Sequence, residues 1–213
     1  MIELLNMDCM EYMAGCEDNA FDLAIVDPPY GIGADIAHEK LSGKKGHTPN
    51  SGYYKTYKKT NWDSSTPSDD YFIELCRVSK EQIVWGGNYF KFYANTGVIV
   101  WYKGGSGNYK EGELAKTSIN TFKVYRYSRA DAYINDCPDK IHPTQKPVKL
   151  YEWLLTNYAK PTDRILDTHL GSGSSAIAAH YFGCDFVGME IDKDYYDAAC
   201  QRFDKETRQV AMF

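Results

Sequence analysis

Apolar positions along the chain follow two periods in turn, and their alternation predicts an α/β protein. Short apolar runs, read as strands, fall at residues 2–6, 22–26, 82–85, 98–102, 121–127, 164–167 and 186–191. Helical spacing is clearest toward the C-terminus. In residues 147–158, Tyr151, Leu154, Leu155 and Tyr158 mark one face. Pro147 suits the first turn of that helix, where a backbone N–H would have no partner. In residues 193–203, Tyr196, Ala199, Cys200 and Phe203 repeat the spacing, with Asp192 placed as an N-cap. Strands interleaved with helices point to a mainly parallel sheet of about seven strands with helices on both faces. Two stretches escape the pattern. Residues 31–70 are rich in Gly, Lys, Tyr and Ser, and residues 103–119 carry Gly104, Gly105, Gly107 and Gly112. Both read as long loops, and both follow strand ends, where an open α/β sheet carries its ligand crevice.

The second strand ends abruptly in Asp27-Pro28-Pro29-Tyr30. Two prolines fix φ and donate no hydrogen bonds, so the carbonyls of Asp27 and Pro28 stay free as acceptors. A planar amine could give its two hydrogens to Asp27 and a carbonyl while lying on Tyr30. A strand followed by a proline-rich turn is the plainer reading of the same four residues.

Composition narrows the class. With 213 residues, 25% charged and 43% hydrophobic, the chain fits one globular domain. No apolar run approaches membrane-spanning length, and MIELLNMDCMEY lacks the basic-then-apolar pattern of a secretion signal, so a soluble cytoplasmic protein without membrane contact is expected. Cys9, Cys16, Cys76, Cys137, Cys184 and Cys200 are scattered without a C-x-x-C pair, and the five histidines lack ligand spacing, so reduced thiols and no metal are expected. Net charge is −5, yet residues 36–60 hold Lys40, Lys44, Lys45, Lys55, Lys58 and Lys59 against one acid, Glu39. Lys123, Arg126 and Arg129 form a second basic stretch. Such patches suit phosphates on an otherwise acidic protein, and a solvated lysine-rich loop has the same composition.

Residues 164–192 read RILDTHLGSGSSAIAAHYFGCDFVGMEID. An apolar strand ends at Asp167, and the turn Gly171-Ser172-Gly173 opens a helix of small residues. A second strand ends at Glu190, nineteen residues after Gly171. Glycines let backbone approach a ligand, Ala176 and Ala178 let the helix press on the sheet, and the acid is placed to accept ribose hydroxyl hydrogens. The segment predicts a nucleoside cofactor. NAD and S-adenosylmethionine both satisfy it.

With DPPY at 27–30, GSG at 171–173 and HPTQKP at 142–147, the chain resembles the amino-methylating DNA methyltransferases of the N6-adenine type. Asp27 in first place and Tyr30 in last favour adenine over cytosine within that family. The resemblance covers residues 1–30, residues 78–103 with Gly86-Gly87-Asn88-Tyr89-Phe90, and residues 141–203. It implies a single Rossmann-like S-adenosylmethionine-dependent domain in the permuted order. The catalytic half would be about 1–103, target-recognition segments about 31–70 and 104–135, and the cofactor half about 141–203. Asp27, Pro28, Pro29 and Tyr30 would be catalytic. Asp167, Thr168, Gly171, Ser172 and Gly173 would line the cofactor, Glu190 would hold its ribose, and Lys146 and Pro147 would border its methionine end. Asp27 would border the cofactor as well, and Asp8 would accept from its adenine amine. Where the family has Pro-Phe after the strand-end aspartate, this chain has Thr168-His169.

The implied activity is site-specific methylation of adenine N6 in double-stranded DNA, on a base extruded from the duplex. The lysines and arginines above would meet phosphates, and Tyr53, Tyr54, Tyr57 or Trp62 would fill the vacated stack. Contacts shared across a homodimer would compensate for a short chain, in the nucleoid of a bacterial or phage-infected cell. N4-cytosine methylation, RNA adenine methylation, a non-catalytic DNA binder and an NAD-dependent oxidoreductase remain as alternatives. The last explains the glycine turn but leaves DPPY without a role.

Overall fold

The computed structural model describes residues 1–34, 62–92, 96–104, 110–135 and 140–208. Eight strands form one sheet: β1 (Ile2–Leu5), β2 (Phe21–Val26), β3 (Ser79–Trp85), β4 (Gly97–Tyr102), β5 (Gly112–Thr117), β6 (Phe122–Arg126), β7 (Arg164–Asp167) and β8 (Asp185–Met189). Their order is β1-β8-β7-β2-β3-β5-β4-β6. All pairings are parallel except those of β5, which runs antiparallel to both neighbours. The helices are α1 (Cys9–Ala14), α2 (Asp69–Val78), α3 (Arg129–Asn135), α4 (Val148–Tyr158), α5 (Ser174–Phe182) and α6 (Lys193–Thr207).

Period-two burial explains why both sheet faces are covered. Leu23 and Ile25 of β2, Ile83 and Trp85 of β3, Ile165 of β7 and Phe186 of β8 join one apolar cluster with α4, α5 and Ala199 of α6. The intervening residues Ala24, Val26, Val84, Leu166 and Val187 join the opposite cluster with Met13 of α1 and Tyr71, Phe72, Leu75 and Val78 of α2. Asp192 caps α6 as its position implied, accepting from the N–H groups of Asp194 at 2.9 Å and Tyr195 at 3.2 Å.

Two sequence readings need correction. The loop read at 103–119 contains β5, so the sheet has eight strands. Residues 69 and 70, assigned to the other loop, open α2 with two acids in its first turn, favoured there by the helix dipole. Within the segment read as target-recognising, about 104–135, β5 and β6 are integral to the sheet. No helix among the described residues is long and apolar enough to cross a membrane.

The decisive feature for function is the adjacency of β2 and β7. They pair in parallel through Leu23 with Ile165 and Ala24 with Leu166. Residues 27–30 and 167–173, separated by more than a hundred positions in sequence, therefore leave the sheet side by side at its carboxyl edge.

Candidate active site

A cavity of about 730 Å³ opens at that edge, within the ~300–1,000 Å³ typical of small-molecule sites. Its lining includes Asp27, Pro28, Pro29 and Tyr30 from the end of β2, Leu170, Gly171 and Ser172 from the turn after β7, and Glu190 after β8.

The β2 end is pinned by a residue that sequence reasoning missed. Asp63, only 1% exposed, accepts from the N–H groups of Tyr30 at 2.7 Å, Gly31 at 2.9 Å and Ala34 at 2.7 Å. Three charge-assisted bonds from donors within five residues order the turn that follows the prolines. Nothing in Trp62-Asp63-Ser64 marks this partnership, because its other half lies 29 to 33 residues away. The Tyr30 hydroxyl donates to Asp27 Oδ1 at 2.6 Å, and its ring stacks on Tyr89 at 4.9 Å and 13°. Gly86 makes room for that ring. A Cβ there would lie 2.1 Å from a Tyr30 ring carbon, and its φ of +72° suits only glycine. One face of Tyr30 is thus already taken by Tyr89, and both tyrosines line the cavity.

Behind Asp27 lies a buried charge network. The Lys146 ammonium is ion-paired with Asp27, lies 3.2 Å from both Glu113 and the Tyr30 hydroxyl, and sits 5.5 Å from the Trp85 ring centre. Glu113, on the unforeseen strand β5, is also paired with Lys103. Burial alone would raise the Glu113 pKa, but Lys146 and Lys103 outweigh it and hold the carboxyl at about 2. Burial opposes the charge on Lys146, and Asp27 and Glu113 overcome it, so its pKa rises. Two acids and two bases neutralise one another where an isolated charge would be untenable.

On the opposite side of the cavity, Glu190 accepts from Gly171 N–H at 3.0 Å and from Asp192 N–H at 2.9 Å, one bond to each oxygen. Each oxygen keeps a lone pair for a further donor. Gly171 has φ +54°, and its nearest neighbour on the Cβ side is the His169 carbonyl at 3.9 Å, so the backbone there is open to close approach. Arg202 braces the turn from behind, donating to the Ser172 carbonyl at 3.0 Å and Ser174 Oγ at 2.8 Å. Ser174 Oγ in turn donates to the Lys146 carbonyl at 2.7 Å, joining the turn to the Lys146-Pro147 segment. A carboxylate, an open glycine turn and a concave wall suit a nucleoside with two free hydroxyls.

The sequence pattern of the N6/N4 DNA methylase family matches residues 53–201. The chain belongs to that family. Type II methyltransferase M.BglII of Bacillus subtilis is 30% identical over 140 residues, spanning 66% of this chain and 34% of that protein. Type II methyltransferase M.HpaI of Haemophilus parainfluenzae is 23% identical over 250 residues, spanning 95% and 74%. The crystal structure of the M1.HpyAVI–S-adenosylmethionine complex shares the fold with a TM-score of 0.60 at 16% identity, across 95% of this chain and 100% of that one. S-adenosylmethionine is the methyl donor of the family.

Not every residue singled out in the methylase sequence meets the cavity. Asp8 caps α1, accepting from Met10 N–H at 2.7 Å, and does not contribute to the lining. Lys146 does line the cavity, paired there with Asp27 and Glu113. Pro147 is the N-cap position of α4, one residue before the helix, and Asp167, Thr168 and Gly173 lie just behind the lining, with Ser175 Oγ donating to Asp167 at 2.6 Å. Arg126 and Arg129 are at the carboxyl end of β6 and the start of α3 and do not contribute to the lining. Arg126 stacks on Tyr102 at 5.0 Å, and Arg129 donates to the Lys110 carbonyl at 2.8 Å. Lys123 is toward the amino end of β6, donating to Asn157 in the last turn of α4 at 2.7 Å, away from the cavity. Lys40, Lys44, Lys45, Lys55, Lys58, Lys59, Tyr53, Tyr54, Tyr57 and Cys137 lie outside the described residues. Trp62 does line the cavity, in ring contact with His142 at 5.1 Å.

Asp167 in the methylase supplies a pH test. Burial pushes its pKa up from 3.8 to about 7, despite the bonds from Ser175 and the His169 N–H. Between those values the native state holds a proton that the unfolded chain has released. Stability contributed by the protonated group is therefore complete below pH 3.8, falls as pH rises to about 7, and is flat above. In urea unfolding from pH 4 to 8, Asp167→Asn is expected to lose less stability than the parent across this window. Parallel curves for the two proteins would show that Asp167 titrates normally.

Proposed function

We propose that this methylase transfers a methyl group from S-adenosylmethionine to the N6 amine of adenine, in a base extruded from duplex DNA. One observation carries the reading: Asp27-Pro28-Pro29-Tyr30 and the Gly171 turn line a single cavity from adjacent strand ends. Glu190 holds the ribose hydroxyls, Gly171 and Ser172 give the backbone approach, Asp167, Thr168 and Gly173 support the turn from behind, and Lys146, which lines the cavity, borders the methionine end. S-adenosylmethionine supplies a methyl group made electrophilic by its sulfonium.

The adenine amine is a poor nucleophile because its lone pair is delocalised into the ring. As that lone pair forms the new N–C bond and the C–S bond breaks, the amine hydrogens become more positive. Asp27 and the Pro28 carbonyl accept those hydrogens more strongly in the transition state than in the ground state, which lowers the barrier. The Asp27 carboxylate already accepts from Tyr30 and pairs with Lys146, and its remaining lone pairs leave room for one more donor. Its role is to stabilise charge, since a carboxylate is far too weak a base to deprotonate a neutral amine. The surplus proton leaves after transfer, from a cationic nitrogen. The stacked Tyr30–Tyr89 pair supports the base plane, by analogy with aromatic–base stacking worth about 1–3 kcal/mol. Arg126, Arg129 and the lysines of residues 36–60 meet the phosphates.

Incubating the protein with tritiated S-adenosylmethionine and either unmethylated duplex DNA or RNA, then digesting to nucleosides, tests this. Label in N6-methyladenine is expected. Label in N4-methylcytosine would overturn the choice of base and keep the chemistry, and transfer to RNA in preference to DNA would overturn the substrate.

A further inference from the structure

Thr168 and His169 form, with Tyr71 of α2, a short buried hydrogen-bond line beside the cavity. The Tyr71 hydroxyl, on a side chain 3% exposed, lies 2.6 Å from Thr168 Oγ1. Thr168 Oγ1 lies 2.9 Å from His169 Nδ1. Two bonds shared by three groups restrict where the protons sit. A phenol is a better donor and a poorer acceptor than an aliphatic hydroxyl, so Tyr71 donates to Thr168. Thr168 is 3% exposed and its own proton has no other acceptor among the described residues, so it is directed to His169 Nδ1, and the neutral imidazole carries its proton on Nε2. Burial keeps the ring neutral by pushing its pKa down to about 4. Its plane is set by an edge-on contact with Tyr71 at 5.4 Å and 74°, and its backbone N–H is tied to Asp167 Oδ1 at 3.0 Å.

His169 lines the cavity between the end of β7 and the Gly171 turn, and its Nε2 has no hydrogen-bond partner among the described residues. A donor held in one tautomer, in one plane and without a protein acceptor is what a ligand oxygen requires. An apolar ring at this position would fill the same space and offer no such bond.

We propose that His169 is a cofactor-binding residue whose Nε2–H donates to an oxygen of S-adenosylmethionine, with Thr168 and Tyr71 as positioning residues that fix its tautomer. The assignment rests on the reading of this cavity as the methyl-donor site. Titration calorimetry of the full chain with S-adenosylmethionine separates the two. His169→Phe keeps an aromatic plane and removes the donor, and is expected to bind about tenfold more weakly, the size of one lost hydrogen bond. In long-range ¹H–¹⁵N spectra, the parent His169 is expected to show protonated Nε2 and unprotonated Nδ1, with Nε2 shifting when S-adenosylmethionine is added. Thr168→Val is expected to mix the two tautomers. A parent protein that does not bind S-adenosylmethionine overturns the reading of the cavity. A parent that binds, with His169→Phe equal in affinity or Nε2 unmoved by the ligand, overturns the assignment of His169 alone.

Discussion

Replacing Asp27 by alanine is expected to slow methyl transfer by about 10³-fold while leaving S-adenosylmethionine affinity within about threefold. The asymmetry follows from the layout of the cavity. Asp27 ends β2, whereas the glycine turn and Glu190 follow β7 and β8. In the proposed mechanism the charge lost faces the hydrogens of the attacking amine, and such an interaction matters mainly in the transition state. Loss of Asp27 leaves Lys146 paired with Glu113, so the network keeps a counter-ion for its buried ammonium. Single-turnover transfer from labelled S-adenosylmethionine, alongside calorimetric binding, gives both numbers. Equal losses in binding and transfer would make Asp27 a cofactor ligand, and an active variant would remove it from the chemistry.

The second large effect is on stability. Lys146→Met keeps the aliphatic stem but leaves Asp27 without its ion-pair partner and Glu113 with Lys103 alone. Breaking a buried pair from one side typically costs about 3–5 kcal/mol, because the remaining charge stays desolvated. The pH dependence identifies the mechanism. Glu113 has its pKa depressed from 4.5 to about 2, so its contribution is present above pH 4.5 and is lost as pH falls toward 2. Lys146 has its pKa raised above 10.5, so its contribution is present below 10.5 and is lost as pH rises beyond its folded value. The deficit of Lys146→Met is therefore expected to be flat between about pH 4.5 and 10.5 and to shrink in stronger acid. Urea unfolding of both proteins at pH 3, 5 and 8 measures it. A deficit independent of pH down to 3 would trace the loss to the ammonium's contacts with the Trp85 and Tyr30 rings, which do not depend on the ionisation of Glu113.

The parts of this site that could be read from sequence are those whose chemistry is local. DPPY announces itself because two prolines and an aromatic directly follow an apolar run, and the glycine turn with Glu190 keeps its spacing whatever surrounds it. The parallel sheet follows from interleaved periods, and its two covered faces from strands that are apolar at both odd and even positions. Strand β5 was hidden for a physical reason. Gly112-Glu113-Leu114-Ala115-Lys116-Thr117 has little apolar alternation, since Glu113 points its charge toward the cavity network while only Ala115 and Thr117 are buried. Its register comes from β3 and β4 on either side and is not encoded in the segment. Asp63 and Lys103 were missed likewise, because their roles exist only through partners elsewhere in the chain. Lys146 was noticed in HPTQKP, and its side chain reaches Asp27 and Glu113 in the cavity wall, a destination that only the fold specifies.

Thr168-His169 shows the converse. The departure from Pro-Phe was visible in the sequence, but its meaning required Tyr71, which α2 brings across the sheet edge from 97 residues away.

The methyl donor and the acceptor amine are expected to meet between the ends of β7 and β2. A crystal structure of this chain with S-adenosylmethionine tests that most directly. The expected result places the ribose against Glu190, the Gly171 turn along the nucleoside, and the sulfonium methyl directed at Asp27 and the Pro28 carbonyl. A cofactor bound away from the Gly171 turn, or with its methyl facing away from Asp27, would contradict it.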